Sequence, residues 1–390
     1  MVTMTSADKA LKSLYLGVVA EQLNTSVNPL LARIKQSTQD VWGKEIRKLA
    51  QYGVNGGIGA GTETGDLPDA TGNNYEQFVL TLKNLYGTIE ISDKAVRASE
   101  NNAGAFVNLL NAEMEGLVKS SSFNFGRMLF GDGTGKLATV VSVNQDGSVT
   151  FDGVKNVFEG MVVDFINGTA PVSSATARSV IYVDRAKKTV KFSGSAISST
   201  DVPAGAFITV QGSLNQEITG LGAIFKEDGN LYGLDREQYR WLVPYIKKDV
   251  GAISETVIQK AIDEIEENTG SKVNFIVCSS GVKRALQEYF TEFKRNVNVT
   301  ELAGGYTAMT YNGIPVVSDR FCPEGTMYLL NTDDFCLHQL CDWKWLESSD
   351  GKVLKQIAGK PVYTATLVKY ADLLCSRPCG QGMLSGITEC

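Results

Sequence analysis

Gly53-Val-Asn-Gly-Gly-Ile-Gly-Ala-Gly61, Thr62-Glu-Thr-Gly-Asp-Leu-Pro-Asp-Ala-Thr-Gly72 and Tyr75-Glu-Gln-Phe-Val-Leu-Thr-Leu-Lys-Asn-Leu-Tyr-Gly-Thr-Ile-Glu-Ile-Ser-Asp-Lys94 follow one another in the stretch that decides the fold. The last of the three is a strand signal, with Phe78, Leu80 and Leu82 on one face and β-formers throughout. The first two are different. They hold six glycines between Gly53 and Gly65 and almost no bulky apolar side chain to bury. Such a segment has little to gain from folding onto its own core, so it is expected to project as a hairpin-like arm.

Downstream, Ile89-Glu-Ile-Ser-Asp-Lys-Ala-Val-Arg-Ala-Ser99 leads into a long helical pattern from about residue 101 to 130. Phe106, Leu109, Leu110, Met114, Leu117 and Val118 form one stripe, continued by Phe125, Met128 and Leu129. At 1.5 Å per residue, a continuous helix of that extent is a rod of about 42 Å. Ser120-Ser-Ser122 is a weak point in its middle, and Gly131-Asp-Gly133 ends it. Upstream, Leu11, Leu14, Tyr15, Val18 and Val19 recur at helical spacing, and Asn28-Pro29 reads as a cap with proline at the first helical position before Leu30-Leu-Ala-Arg-Ile34. The run through Trp42, Ile46 and Leu49 is ambiguous between strand and helix.

Beyond Gly131 the texture changes. Thr139–Val143, Ser148–Phe151, Met161–Ile166, Ser179–Val183, Thr189–Phe192 and Ala206–Val210 are short β runs, with turns at Asp146-Gly, Asn167-Gly and Asp184-Arg-Ala-Lys-Lys188. Strands at this spacing without a helical segment predict a small barrel or sandwich over residues 136–215. Its one basic cluster is Lys187, Lys188 and Lys191, with no aromatic strand face beside it, so a stabilising or surface-decorating module is favoured over a nucleic-acid binder. From about residue 216 α/β texture returns. Ser254 can cap a helix with Val257, Ile258, Ala261, Ile262 and Ile265 as its buried stripe and Gly270 as its stop. A strand at Val273–Cys278, a helix opened by Ser279 or Ser280, and an Asn312-Gly tight turn between two strands follow.

Taken in order, the glycine-rich arm, strand and long helix resemble the extended loop and spine helix of tailed-phage major capsid proteins, the Hong Kong 97 fold family. Tyr311-Asn-Gly-Ile-Pro-Val-Val-Ser-Asp319, followed by Gly325-Thr-Met-Tyr328 and Asn331-Thr-Asp-Asp-Phe335, resembles the axial-domain signature of that family. Lys360-Pro-Val-Tyr-Thr-Ala-Thr-Leu-Val-Lys-Tyr-Ala-Asp-Leu-Leu-Cys-Ser-Arg-Pro378 is similar to its long final strand. The resemblance implies an α+β Hong Kong 97-type capsid fold. Its parts would be an N-terminal arm (1–52), an extended loop (53–90), a peripheral domain with the spine helix (91–135), an inserted small all-β domain (136–215), an axial domain (216–340), and a return to the peripheral domain with a final strand (341–390). It implies a structural protein that assembles into an icosahedral head shell. Copies of the chain itself would be the main partners, as pentamers and hexamers. A separate scaffolding protein, a portal, a decoration protein and packaged double-stranded DNA held without sequence recognition would be the others. The expected location is the virion capsid, after synthesis and assembly in the host bacterial cytoplasm.

The residues carried over are Gly56, Gly57, Gly59, Gly61, Leu67, Pro68 and Phe78 for inter-subunit contact, the glycines for tolerance of angle and Leu67, Pro68 and Phe78 as anchors. Phe106, Leu110, Met114 and Leu117 fall on the spine helix, and Tyr311, Gly313, Pro315 and Asp319 in the axial domain. Some members of the family weld the shell by an isopeptide bond from a lysine of the extended loop to an asparagine of another subunit. Here residues 53–82 contain no lysine and Lys83 sits at the base, so such a weld is not expected.

Composition agrees with a soluble structural chain. There are 390 residues, 43% hydrophobic and 21% charged, enough for a sizeable core and too apolar for bulk disorder. A net charge of −6 argues against a protein whose main task is gripping phosphate. No apolar run suits a membrane span, and Met1-Val-Thr-Met-Thr-Ser-Ala-Asp-Lys9 lacks a signal-peptide layout, so cytosolic synthesis is expected.

Catalytic chemistry finds little purchase. The single histidine, His338, lies in a strand-like Asp334-Phe-Cys-Leu-His-Gln-Leu-Cys341. Gly131-Asp-Gly-Thr-Gly-Lys-Leu137 has the wrong glycine spacing for a phosphate loop and Leu137 where a hydroxyl would hold magnesium. The seven cysteines (Cys278, Cys322, Cys336, Cys341, Cys375, Cys379 and Cys390) lack the Cys-x2-Cys spacing of a zinc site and read as reduced, mostly buried thiols. No catalytic residue, metal or cofactor is therefore expected. An encapsulin-type compartment shares the implied fold, an α/β hydrolase around 250–340 would need a nucleophile motif, and a tail or adhesion protein would account for the β-rich middle.

Overall fold

The computed structural model describes residues 28–39, 41, 45–94, 103–293, 299–302, 306–347, 351 and 353–390, with side chains of the long helix described from Glu113 onward. The N-terminal amphipathic pattern at residues 11–19 and Trp42 lie outside the described residues. In chain order the first elements are β1 (Lys35–Ser37), β2 (Ile46–Tyr52), β3 (Asn74–Leu80), β4 (Lys83–Ser92) and α1 (Ala103–Phe130). Next come β5 (Lys136–Val143), β6 (Val149–Phe151), β7 (Val162–Asn167), β8 (Ala170–Pro171), β9 (Arg178–Asp184), β10 (Thr189–Phe192) and β11 (Phe207–Val210). After β12 (Asn230–Leu231), β13 (Leu234–Asp235) and β14 (Tyr245–Lys247) stand α2 (Glu255–Thr269), β15 (Phe275–Cys278) and α3 (Ser280–Phe293). The chain closes with β16 (Val299–Leu302), β17 (Tyr306–Tyr311), β18 (Ile314–Ser318), β19 (Met327–Leu330), β20 (Phe335–Trp345), β21 (Lys355–Gln356), β22 (Val362–Cys375) and β23 (Gly382–Leu384).

The residues divide into two compact units. One holds 83–223 and 345–368; the other holds 224–344, 369–390 and the described part of 24–82. The arm and its two strands therefore belong with residues 224–344 and 369–390.

In the first unit α1 runs unbroken through Ser120-Ser-Ser122, where Ser121 and Ser122 are buried and the Ser122 hydroxyl donates to the Val118 carbonyl at 3.0 Å. Met114, Val118, Phe125, Met128 and Leu129 form its buried stripe. Gly87 of β4 lets the helix come close, since a Cβ there would stand 2.9 Å from a Leu117 methyl. The helix ends at Gly131, and Gly220 presses on its last carbonyls so tightly that a Cβ would clash with the Met128 oxygen. Beyond it, β11, β5, β6, β10, β9 and β7 pair in sequence, and β7 pairs with β11 again, closing a ring with β8 at its side. These strands, all within residues 136–210, form one sheet closed on itself. Phe151, Phe165, Val149, Val163, Val190 and Ile208 fill the interior with at most 1% exposure. Phe165 meets Phe192 edge-on at 5.0 Å.

In the second unit a seven-stranded sheet of order β14-β23-β19-β15-β18-β17-β16 carries α2 and α3 on a core containing Ile258, Ile276, Val282, Leu286, Val316 and Leu329. Ser254 caps α2 by accepting from the Val257 amide, and Gly270 ends it at φ 66°. Ser279 does the same for α3 through the Val282 amide. Two expectations change here. Pro29 opens only a turn, with Ala32 and Ile34 amides bonded to the Asn28 and Leu30 carbonyls, because the chain must extend by Lys35 to lie parallel to β20. Residues 341–390 do not return as one piece, since β23 inserts between β14 and β19 of this sheet.

Candidate interaction surfaces

The arm is two glycine-spaced limbs joined without a strand ladder. Below it, β2 and β3 pair in register from Ile46↔Leu80 to Tyr52↔Asn74. Above Gly53, which sits at φ 67°, side chains take over: Asn55 donates to Asn73 at 3.1 Å and accepts from the Gly57 amide at 2.9 Å and the Thr71 hydroxyl at 3.2 Å. The tip turns where the Gly65 amide bonds the Thr62 carbonyl.

Gly56, Gly57, Gly59 and Gly61 do not use left-handed dihedrals. Three of them provide closeness instead. A Cβ on Gly59 would lie 3.0 Å from the Pro68 ring, one on Gly56 3.1 Å from the Thr71 hydroxyl, and one on Gly57 3.1 Å from the Asn55 amide oxygen. Pro68 therefore packs on the opposite limb. Val54, Ile58 and Leu67 are 77%, 79% and 88% exposed, an apolar set with nothing of its own unit over it.

Phe78 requires a correction. It is 1% exposed and packs inside its own unit, 5.4 Å from Tyr232 and 5.7 Å from Trp241. A ring already buried cannot anchor onto a neighbour; it anchors the base of the arm. Around it Tyr52 stacks on Trp241 at 5.3 Å, and Tyr239 donates to the Glu76 carboxylate at 2.6 Å. The Val79 amide donates to the Tyr232 carbonyl at 2.9 Å. This aromatic base was not legible in the sequence, because its members are some 160 residues apart and no local pattern links them.

On α1, Met114 is buried and Leu117 half-buried, facing the sheet at Gly87; Phe106 and Leu110 have no described side chains. Near the helix end, Arg127 is buried and donates to Asn124 at 2.7 Å and to the equally buried Glu217 carboxylate. Phe123, one turn earlier, meets Phe158 of the barrel edge-on at 4.7 Å. Sequence reading missed this seam.

The four residues of the axial signature are structural. Asn312 and Gly313, at φ 48° and 83°, make the two-residue turn from β17 to β18. Pro315 is buried opposite Thr310. Tyr311 is buried and donates to Gln259 at 2.8 Å, and burial pushes its hydroxyl up to about 12. The Asp319 carboxylate accepts from the Phe321 amide at 2.9 Å, fixing the turn after β18.

His338 is buried on β20. Cys278, Cys322 and Cys375 are buried thiols, and burial pushes Cys278 up to about 12, away from thiolate chemistry. Asp132 of the Gly131 loop accepts from the Thr134 amide and hydroxyl, so the loop forms a turn leading into the barrel. Among the described residues no three His, Cys, Asp or Glu side chains could hold a metal ion, and no helix is long and apolar enough to cross a membrane.

Residues 165–350 match the family model described as SU10 major capsid protein. In fold the chain is similar to the capsid protein of cyanophage A-1(L), with a TM-score of 0.57 at 13% identity, over 93% of this chain and 94% of that one. It also aligns with the capsid of Myoviridae phage XM1 (TM-score 0.47, 10% identity, 93% and 92% covered) and the SrpI encapsulin of Synechococcus elongatus (0.45, 10%, 95% and 95%). No curated protein matches by sequence.

Proposed function

We propose that the chain is a tailed-phage major capsid protein, a structural head-shell protein and not an enzyme, and that its shell is laced together by the arm of residues 53–73. The observation that carries this reading is the exposure of Val54, Ile58 and Leu67 on limbs that touch only each other. Burying a large aliphatic side chain is worth about 1.5–3 kcal/mol, and none of that is gained within the subunit. The gain comes when a second copy covers the arm.

The remaining division of labour follows from that role. The unit of α2, α3 and their sheet acts as the axial domain around five- and six-fold axes. The unit of α1 acts as the peripheral domain with α1 as the spine helix. Residues 136–215 act as an inserted domain, a reading supported by the stem at its entrance, where the Asn215 amide bonds the Thr134 carbonyl and chain entry and exit lie side by side. A scaffolding protein, a portal, a decoration protein and packaged DNA are the further partners, and assembly takes place in the host cytoplasm. With residues 53–82 free of lysine, the shell is held without a covalent weld from the arm.

Negative-stain electron microscopy of the protein, expressed with and without its neighbouring genes, tests the reading. Closed shells of one size are expected, and nuclease-resistant DNA inside particles from infected or induced cells separates a phage head from an enzyme compartment. Monomer-sized particles under both conditions would overturn it.

A further inference from the structure

The arm is one-signed. Between Gly53 and Leu82 the chain has Glu63, Asp66, Asp69 and Glu76 and neither Lys nor Arg. Glu63, Asp66 and Asp69 are exposed and make no ion pair among the described residues. They flank Leu67, the most exposed large apolar residue of the arm. Whatever surface covers Leu67 must meet three carboxylates, and leaving them without counter-charge on desolvation is costly.

The same unit carries a surface of opposite sign. Lys35 on β1 is exposed and lies in register with Cys336, two residues past Asp334. Exposed Lys48 on β2 acts electrostatically on Asp334, and Arg377 approaches its carboxylate at 3.9 Å. Burial pushes the Asp334 carboxyl up, while Arg377 and Lys48 pull it down. Asp334, with a side chain 11% exposed, and its neighbour Asp333, which also acts on it, are the two carboxylates set with Lys48 and Arg377, and with Lys35 the three bases still leave an excess of positive charge.

Resting on the lacing reading, we propose that the acidic arm tip of one copy lands on the Lys35–Lys48 patch of a second copy, Leu67 supplying the apolar contact and Asp66 and Asp69 the charge that sets its register. Complementary charge steers such encounters and rejects wrong registers more than it adds affinity. Exposed charges are screened over about 8 Å at physiological salt, so the pairing acts at contact distance.

The test is a charge exchange in the full chain, under conditions where the unaltered protein forms shells. Asp66→Lys with Asp69→Lys should give a folded subunit that loses closed shells, and so should Lys35→Glu with Lys48→Glu. All four substitutions together should restore shells. Circular dichroism and sedimentation confirm folding, and the arm variant, whose altered side chains are exposed and make no ion pair among the described residues, keeps the test valid if the patch variant misfolds. Normal shells from the arm variant would overturn the proposal. So would a quadruple variant as defective as the arm variant. The lacing reading stands or falls separately, on whether a chain with residues 54–72 replaced by a tight turn still closes shells.

Discussion

The barrel and the arm lie on either side of α1 in the sequence and solve opposite problems. In the barrel, β7 pairs with β11 to close the ring, so no open edge remains between them and Phe151, Phe165 and Ile208 are sealed inside. In the arm, the ladder stops at Tyr52↔Asn74, and beyond it side-chain hydrogen bonds among Asn55, Thr71 and Asn73 hold two limbs that bury almost nothing. The barrel's fold is complete within one chain. The arm's fold is determined only as far as its base, where Phe78, Tyr232, Trp241 and Tyr52 fix the point of departure. Residues whose apolar side chains are satisfied at home belong to the subunit's stability, and on the lacing proposal residues like Leu67 belong to the assembly's.

The sharpest way to break this contrast is to shorten the arm. Deleting Gly56-Gly57-Ile58-Gly59 should abolish closed shells while leaving the subunit's unfolding transition in place; normal particles would show that the arm is dispensable. Next in size, Phe165→Ala in the barrel core should destabilise the subunit by about 3–5 kcal/mol in chemical denaturation, the usual cost of emptying a buried aromatic site. Arg127→Met leaves Glu217 buried without its partner and should cost about 3–5 kcal/mol in the same assay, with Arg127→Met/Glu217→Leu recovering much of it. By contrast, Ile58→Ser and Leu67→Ser should change subunit stability by no more than about 0.5 kcal/mol while cutting shell yield.

The smallest effect is a pH dependence on the barrel surface. Hydrogen bonds from the Ser148 hydroxyl and amide, then Lys191, hold the Asp146 carboxyl down at about 2, against an ordinary 3.8. Because the folded value is the lower, its contribution is fully present above the ordinary value and is lost as pH falls through about 2. Acid unfolding of Asp146→Asn should lack that part of the slope, and a titration of Asp146 at its ordinary value would refute the assignment.

Much of this was legible from local pattern. The stripe Met114, Val118, Phe125 and Leu129 with Gly131 beyond it marks α1, and Asp146-Gly, Asn167-Gly and Asn312-Gly mark their turns, because helix period and turn chemistry are written within a few residues. The arm's exposure was legible for the same reason, since a stretch with nothing to bury declares itself. What escaped depends on partners distant in sequence. Phe78 read as an outward anchor because a strand shows two faces and the sequence does not say which one Tyr232 and Trp241 will cover. The Arg127–Glu217 pair spans 90 positions and belongs to no motif. Likewise β23 gives no sign that it will enter the sheet between β14 and β19.

Hydrogen–deuterium exchange of peptides from residues 53–73, compared between dissociated subunits and assembled particles, tests the central claim most directly. The account predicts fast exchange in subunits and strong protection in particles, with barrel peptides from residues 136–210 equally protected in both. Arm peptides that are already protected in isolated subunits, or that stay unprotected in shells, would contradict it.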